Sequence, residues 1–303
     1  MLDSTYHIPA LLQDAVNLLI TDPDGIYIDA TFGGGGHSRE ILKSLSDKGR
    51  LFSFDRDIDA YANRIDDPRF KFVHSNYRYI ENFMQYYGVE KVDGILADLG
   101  VSFHHFDVVE RGFSFRGEAP LDMRMNQAAE KTAATIIGEA DEKRLLEILK
   151  EYTDLKRPDQ VARAIIKARE NHEIITTKDL ADAVTPAIDP RQVKKELSQV
   201  FQAFRIETNQ EKKDIQIFLG ATQKILKTKG RLVVLTYHSM EDRLVKNFMK
   251  AGNFSGQEET DFFGNRKTRW KILTRKPIEP TAQEIEENPR CRSAKLRAAE
   301  FLG

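Results

Sequence analysis

Four consecutive glycines, Gly33-Gly34-Gly35-Gly36, stand directly before His37 and Ser38. Glycine lacks a Cβ, so such a turn can take positive φ and let a ligand press against bare backbone. A helix opening there presents unpaired N–H groups to something anionic. Nineteen residues beyond Gly36 lies Asp55, where a carboxylate can accept both hydroxyls of a ribose. Two ligands suit this pattern: a dinucleotide with its pyrophosphate on the turn, or S-adenosyl-L-methionine with its methionine carboxylate there. Ser38 only approximates the small third residue of the dinucleotide pattern, and the glycine turn by itself leaves the two open.

Those residues need strands and helices to hold them, and residues 26–98 alternate short β-rich runs with helical stretches, the mark of βαβ units and a parallel sheet. Ile26-Tyr27-Ile28, Leu51-Phe52-Ser53-Phe54, Phe70-Lys71-Phe72-Val73 and Val92-Asp93-Gly94-Ile95-Leu96 read as four strands, stopping at Asp29, Asp55, His74 and Asp98. Ligands of open α/β sheets bind outside the carboxyl ends of the strands, so these four positions are where a site belongs. A turn-rich loop with Gly100, Gly112, Gly117 and Pro120 follows, and then some eighty residues of helical periodicity. Leu145, Leu146, Leu149 and Tyr152 share one helix face, as do Val161, Ala164, Ile165 and Ala168, and Thr177 opens a further helix stopped by Pro186 and Pro190. After the amphipathic stretch Ile215 to Leu226 and a turn at Lys229-Gly230, strand language returns at Leu232-Val233-Val234-Leu235-Thr236. The expected fold class is α/β: a discontinuous sheet domain, 1–106 with 209–303, interrupted by an all-helical insertion, 107–208.

A chain of 303 residues, 41% hydrophobic and 31% charged, can bury a real core and is neither disordered nor collagen-like. No apolar run approaches the ~20 residues of a membrane helix, and Met1-Leu2-Asp3-Ser4 begins no secretory signal, so a cytoplasmic location is expected. The single cysteine, Cys291, permits neither an intramolecular disulfide nor a cysteine-rich metal site. Forty-six basic residues against forty-seven acidic ones give a net charge of −1, so any nucleic-acid partner must be gripped by local basic patches.

Seven separated blocks carry a more specific signal. Asp29-Ala30-Thr31-Phe32 leading into the glycine turn, Asp98-Leu99-Gly100-Val101-Ser102, Glu110-Arg111-Gly112-Phe113-Ser114-Phe115 and Ala119-Pro120-Leu121-Asp122-Met123-Arg124-Met125 closely resemble the bacterial RsmH (MraW) family. So do Phe201-Gln202-Ala203-Phe204-Arg205-Ile206, His238-Ser239-Met240-Glu241-Asp242-Arg243 and Asn288-Pro289-Arg290, in the same order along nearly the whole chain. The resemblance implies a Rossmann-like S-adenosyl-L-methionine-dependent methyltransferase domain with an inserted helical substrate domain. It also implies an activity, methylation of the N4 amine of a cytidine in 16S ribosomal RNA, with a small-subunit particle as the expected context. By resemblance Gly35, Gly36 and His37 belong to the cofactor turn, to which the glycine pattern adds Gly33, while Asp55 holds the ribose, Tyr77 stands at an aromatic position usually held by Phe, and Asp98 is the acid closing the fourth strand. His105 occupies the place of a usual Gln in the run Ser102-Phe103-His104-His105, and Thr236-Tyr237-His238 replaces a usual Ser-Phe-His.

Methyl transfer to an exocyclic amine needs the nitrogen held in line with the methyl and a group that accepts an N–H as the lone pair localises. Asp98 and Ser102 are the candidate catalytic acceptors; neither a metal nor a covalent intermediate is required. The base must be unpaired or extruded to be reached. For RNA contacts the sequence offers Arg266, Lys267, Arg269, Lys271, Arg275 and Lys276 around the only tryptophan, Trp270, a second cluster of Arg290, Arg292, Lys295 and Arg297, and Arg111, Arg116 and Arg124 in the glycine-rich segment. The oligomeric state is open, a homodimer included.

Overall fold

The computed structural model describes residues 9–100, 109–260, 262 and 268–303. In chain order these form α1 (Leu12–Leu19), β1 (Ile26–Asp29), α2 (Gly36–Ser44), β2 (Arg50–Asp55), β3 (Phe70–His74), α3 (Ile80–Tyr86) and β4 (Val92–Asp98). Then come α4 (Ala133–Glu139), α5 (Glu142–Tyr152), α6 (Pro158–Arg169), α7 (Thr177–Val184), α8 (Val193–Thr208) and α9 (Glu211–Ile225). The chain closes with β5 (Leu226–Thr236), α10 (Ser239–Ala251), β6 (Trp270–Ile272), α11 (Ala282–Glu287) and β7 (Lys295–Phe301). Two compact units result, residues 1–100 with 213–303 and residues 101–212.

The first unit is built on one seven-stranded sheet in the order β3-β2-β1-β4-β5-β7-β6. β1 pairs in parallel with both β2 and β4, β2 with β3, and β4 with β5, while β7 runs antiparallel between β5 and β6. The chain leaves β1 toward β2 and β3 on one side and resumes with β4 and β5 on the other. That reversal opens a crevice at the carboxyl ends of β1 and β4, the place where doubly wound Rossmann-like sheets bind ligands. The central strands are apolar along most of their length because both sheet faces are covered: Ala15, Val16 and Leu19 of α1 and Ile41 and Leu42 of α2 pack into a core with Leu51, Leu96, Val233 and Leu235.

In place of the turn expected at Lys229-Gly230, β5 runs through these residues with an irregularity in its pairing. The register with β4 passes from Val92 opposite Leu226 to Gly94 opposite Arg231, and Lys229 takes φ +69° in the excess chain. β6 and β7 went unread in the sequence. β7 alternates basic and apolar residues, which resembled a cationic cluster, yet Arg297 donates both Nε and Nη2 to Asp242 at 2.7 and 3.0 Å. Trp270 is 2% exposed and sits among Phe248 and Phe301, ring centroids 5.7 and 5.2 Å away, so it is a core residue and no platform for an RNA base. Arg266 and Lys267 lie outside the described residues.

The second unit is helical. Thr132 caps α4, Asp141 caps α5, Pro158 begins α6, and Thr176, one residue before the expected start, closes a capping box with Asp179 on α7. α5 buries Leu145, Ile148, Leu149 and Tyr152, and α6 buries Val161, Ala162 and Ile165, a face turned slightly from the expected one. Arg111 and Arg124 are engaged inside this unit. Arg124 binds Asp122 through Nε and Nη2 and the Ala129 carbonyl through Nη1, while Arg111 Nη2 donates to the carbonyls of Arg124 and Met125. Among the described residues no helix is long and apolar enough to cross a membrane.

If Trp270 anchors the β6 edge, Trp270→Ala lowers the unfolding free energy by about 3–5 kcal/mol, the usual cost of emptying a buried aromatic site. Urea denaturation measures this. A loss of well under about 1 kcal/mol would mark an exposed ring instead.

Candidate active site

The glycine turn is fixed from three sides. Gly33, at φ +52°, donates its N–H to Asp55 Oδ2 at 2.7 Å, which ties the turn to the end of β2. Asn63 Nδ2 donates to the Gly33 carbonyl at 3.2 Å, and the Gly35 N–H closes onto the Phe32 carbonyl at 2.7 Å. Gly35 is left-handed at φ +76°, and a Cβ there would lie 2.8 Å from the Phe32 ring. A Cβ on Gly36 would lie 2.2 Å from Pro9 Cγ. Gly35 is therefore required by sterics and by conformation and Gly36 by sterics alone, while Gly33 has open space around it but takes positive φ.

α2 starts at Gly36 and is locked to the sheet by Ser38, whose hydroxyl donates to Asp29 Oδ2 at 2.6 Å and meets Ser53 Oγ at 2.8 Å. Asp29 is fully buried and also accepts the Thr31 N–H. Burial pushes its carboxyl above the ordinary value, with His37, Ser38 and the Thr31 N–H opposing. His37 is 4% exposed, and the same desolvation pulls its imidazole below the ordinary value against the attraction of Asp29. A neutral ring follows, with Nδ1 3.9 Å from Asp98 Oδ2 and Nε2 buried without a partner.

Asp98 ends β4 beside this ring, its backbone N–H donated to Thr31 Oγ1 at 2.6 Å. Desolvation raises its carboxyl to about 7, the Tyr237 hydroxyl opposing and the Glu241 charge reinforcing. Asp98 Oδ1 is buried and unpartnered. Glu241, fully buried at the start of α10, accepts the Tyr237 N–H at 2.9 Å and lies 2.9 Å from His238 Nε2. Asp55 keeps capacity as well: Oδ2 accepts from Gly33 and Oδ1 from the Asp57 N–H at 2.8 Å, leaving about one acceptor site on each oxygen.

Gly33, Gly35, Gly36, His37, Asp55 and Asp98 thus converge at the carboxyl ends of β1, β2 and β4. Tyr77 opens the turn after β3, half-buried, its ring in a T-shaped contact with Phe218 at 5.2 Å and 70°. Ser102 and His105 lie outside the described residues. The sequence alone does not mark Tyr237 and Glu241 as site residues, although the three-residue spacing of His238, which precedes α10, and Glu241 in its first turn lets the two side chains meet.

A carboxyl with a folded value above its unfolded one takes up a proton on folding, so it disfavours the folded state increasingly as pH rises from about 4 to about 7 and then by a constant amount. Asp98→Asn removes that term. The stability of this variant relative to the unmodified protein should climb through the same window and level off above it, in urea denaturation at a series of pH values. A difference independent of pH would place the Asp98 carboxyl in water.

A model of the MraW methylase family matches residues 4–302. A relative from Bacteroides thetaiotaomicron named ribosomal RNA small subunit methyltransferase H is 53% identical over 98% of this chain and 97% of its own. One of the same name from Phocaeicola vulgatus is 54% identical over 97% of each chain. A glycine turn, a β2 aspartate and a desolvated β4 aspartate at the sheet's switch point, in a sequence matched from end to end, place this chain in the MraW methylase family.

Proposed function

We propose that the protein transfers a methyl group from S-adenosyl-L-methionine to the exocyclic N4 amine of a cytidine in 16S ribosomal RNA, within a small-subunit particle. The observation that carries this reading is the pair of buried, unpartnered atoms Asp98 Oδ1 and His37 Nε2 next to the glycine turn. Desolvated polar atoms without partners are rare, and their place in a crevice calls for a polar ligand. A zwitterionic amino-acid end fits: its carboxylate on the N–H groups at the start of α2, its ammonium on Asp98. Asp55, with acceptor sites to spare, suits the ribose hydroxyls, and Tyr77 an adenine face. The names of the relatives supply the substrate class.

The donor's sulfonium makes its methyl electrophilic, so the protein's own work lies in placement and proton transfer. Asp98, with a carboxyl near neutrality, becomes fully ionised as an ammonium docks on it. Binding is therefore its main role, with acceptance of the cytosine N–H shared with Ser102; His105 is an additional cofactor contact. Unit 101–212 reads the RNA, and the exposed Arg116, Arg275, Lys276 and Arg292 are the basic side chains offered to phosphates.

Asp55→Ala should weaken binding of S-adenosylhomocysteine by about ten- to a hundredfold, the value of a charge-assisted hydrogen bond. Calorimetry with unchanged affinity would remove Asp55 from the site. Asp98→Asn should lower affinity for the donor while the single-turnover rate recovers at saturation; a rate lower by about 10²–10⁴ at unchanged affinity would make Asp98 chiefly the proton acceptor. Mass spectrometry of ribosomal RNA from cells lacking the protein tests the whole reading: one cytidine of the 16S molecule should lose its N4 methyl group, and an intact modification profile would refute it.

A further inference from the structure

Asp214, on α9, is 2% exposed and belongs to none of the residues placed so far at the crevice. Its carboxylate accepts two hydrogen bonds and faces one further guanidinium, all from the loops after β2 and β3. Asn76 Nδ2 donates to Oδ2 at 2.6 Å, Arg78 Nη1 to Oδ1 at 2.9 Å, and Arg56 Nη1 lies 3.8 Å from Oδ2. Each donor adjoins a residue assigned to the adenosine: Arg56 follows Asp55, and Asn76 and Arg78 flank Tyr77. Asn76 also caps the turn that begins at Tyr77, its Oδ1 accepting the Arg78 N–H at 3.0 Å. One helical turn beyond Asp214, on the same face of α9, the buried Phe218 makes a T-shaped contact with the Tyr77 ring.

We infer that Asp214 is a positioning residue for the adenosine end of the donor, acting through Arg56, Asn76 and Arg78 to hold the Asp55 and Tyr77 loops at the spacing of a nucleoside. This rests on the proposed placement of ribose at Asp55 and adenine at Tyr77. The electrostatics give a specific reason for a carboxylate here. Arg56 already acts on the Asp55 carboxyl through space. Asp214, 3.8 Å from Arg56 Nη1, shares that positive charge, which leaves Asp55 available to ribose hydroxyls. Without that charge the attraction of Arg56 for Asp55 is no longer offset, and the Tyr77 turn loses the anchor at its cap.

The test compares two ligands on the full-length protein by calorimetry: S-adenosylhomocysteine, and methylthioadenosine, which keeps the nucleoside and lacks the amino-acid end. Asp214→Asn should lower the affinity for both by the same factor, about tenfold, the range for a lost charge-assisted hydrogen bond. Phe218→Leu should weaken both in the same direction. Unchanged affinity in a folded Asp214→Asn protein, even with a lower unfolding temperature, would show a purely structural carboxylate and overturn the inference. A loss confined to S-adenosylhomocysteine would overturn it too, by placing the effect at the amino-acid end. If Asp214→Asn fails to fold, Asn76→Ala removes one donor from the loop side and is held to the same two criteria. Asp55→Ala measured in parallel separates the levels. If it binds normally, the ribose placement fails and takes this inference with it, whereas weak binding by Asp55→Ala beside normal binding by Asp214→Asn overturns the inference alone.

Discussion

A carboxylate with no access to water must be satisfied from within, and Asp29 at the end of β1 sets that requirement for the ligand end of the sheet. It accepts from the Ser38 hydroxyl and the Thr31 N–H, and in doing so fixes the first turn of α2 and the exit of β1 relative to each other. The glycine turn spans the gap between those two points, so its conformation follows from them. Gly35 then has no room for a side chain, and His37 is directed toward Asp98. Thr31 extends the same arrangement to β4 by accepting the Asp98 N–H. The crevice between β1 and β4 is thus preformed by hydrogen bonds within the protein.

Desolvation is the dominant electrostatic influence there. It raises Asp29, Asp55 and Asp98 and lowers His37, in each case favouring the neutral form against nearby opposite charges or donors. Such an arrangement is held at the expense of stability, which is common where residues must meet a polar ligand. Asp98 differs from Asp29 in having one oxygen without a protein partner, and that difference separates a residue that organises the site from one that meets the ligand.

The near balance of charge also takes a different meaning once pairings are known. Several basic residues that look available in the sequence are engaged within their own units: Arg297 with Asp242, Arg124 with Asp122, and Arg205 with Glu211 by two bonds of 2.9 and 3.0 Å inside the helical unit. Planar guanidinium groups suit such bidentate contacts, and each one removes a candidate for gripping RNA. The cationic surface left for a nucleic acid is smaller than the residue count suggests.

Four strands were legible from their β-rich runs, and β1 to β4 end at the polar residues Asp29, Asp55, His74 and Asp98; the inner strands β1, β2 and β4 stay largely apolar until they emerge at the crevice, while the edge strand β3 reads from its Phe70, Phe72 and Val73 with Lys71 exposed between them. The glycine turn and Asp55 were legible for a related reason: their chemistry depends on local backbone and on order along the chain. β6 and β7 were hidden because β6 is short and the two intersperse Lys271, Lys295, Arg297 and Glu300 among apolar residues, a composition that also describes a solvated charged segment. Trp270 could not be assigned to the core until Phe248 and Phe301 were brought around it. Asp214 left no trace in the sequence, since its partners Asn76 and Arg78 are 138 and 136 residues away and an isolated aspartate on a helix is unremarkable. Burial, and with it every shifted carboxyl and imidazole of the site, is a property of what surrounds a side chain, and only the tertiary structure decides that.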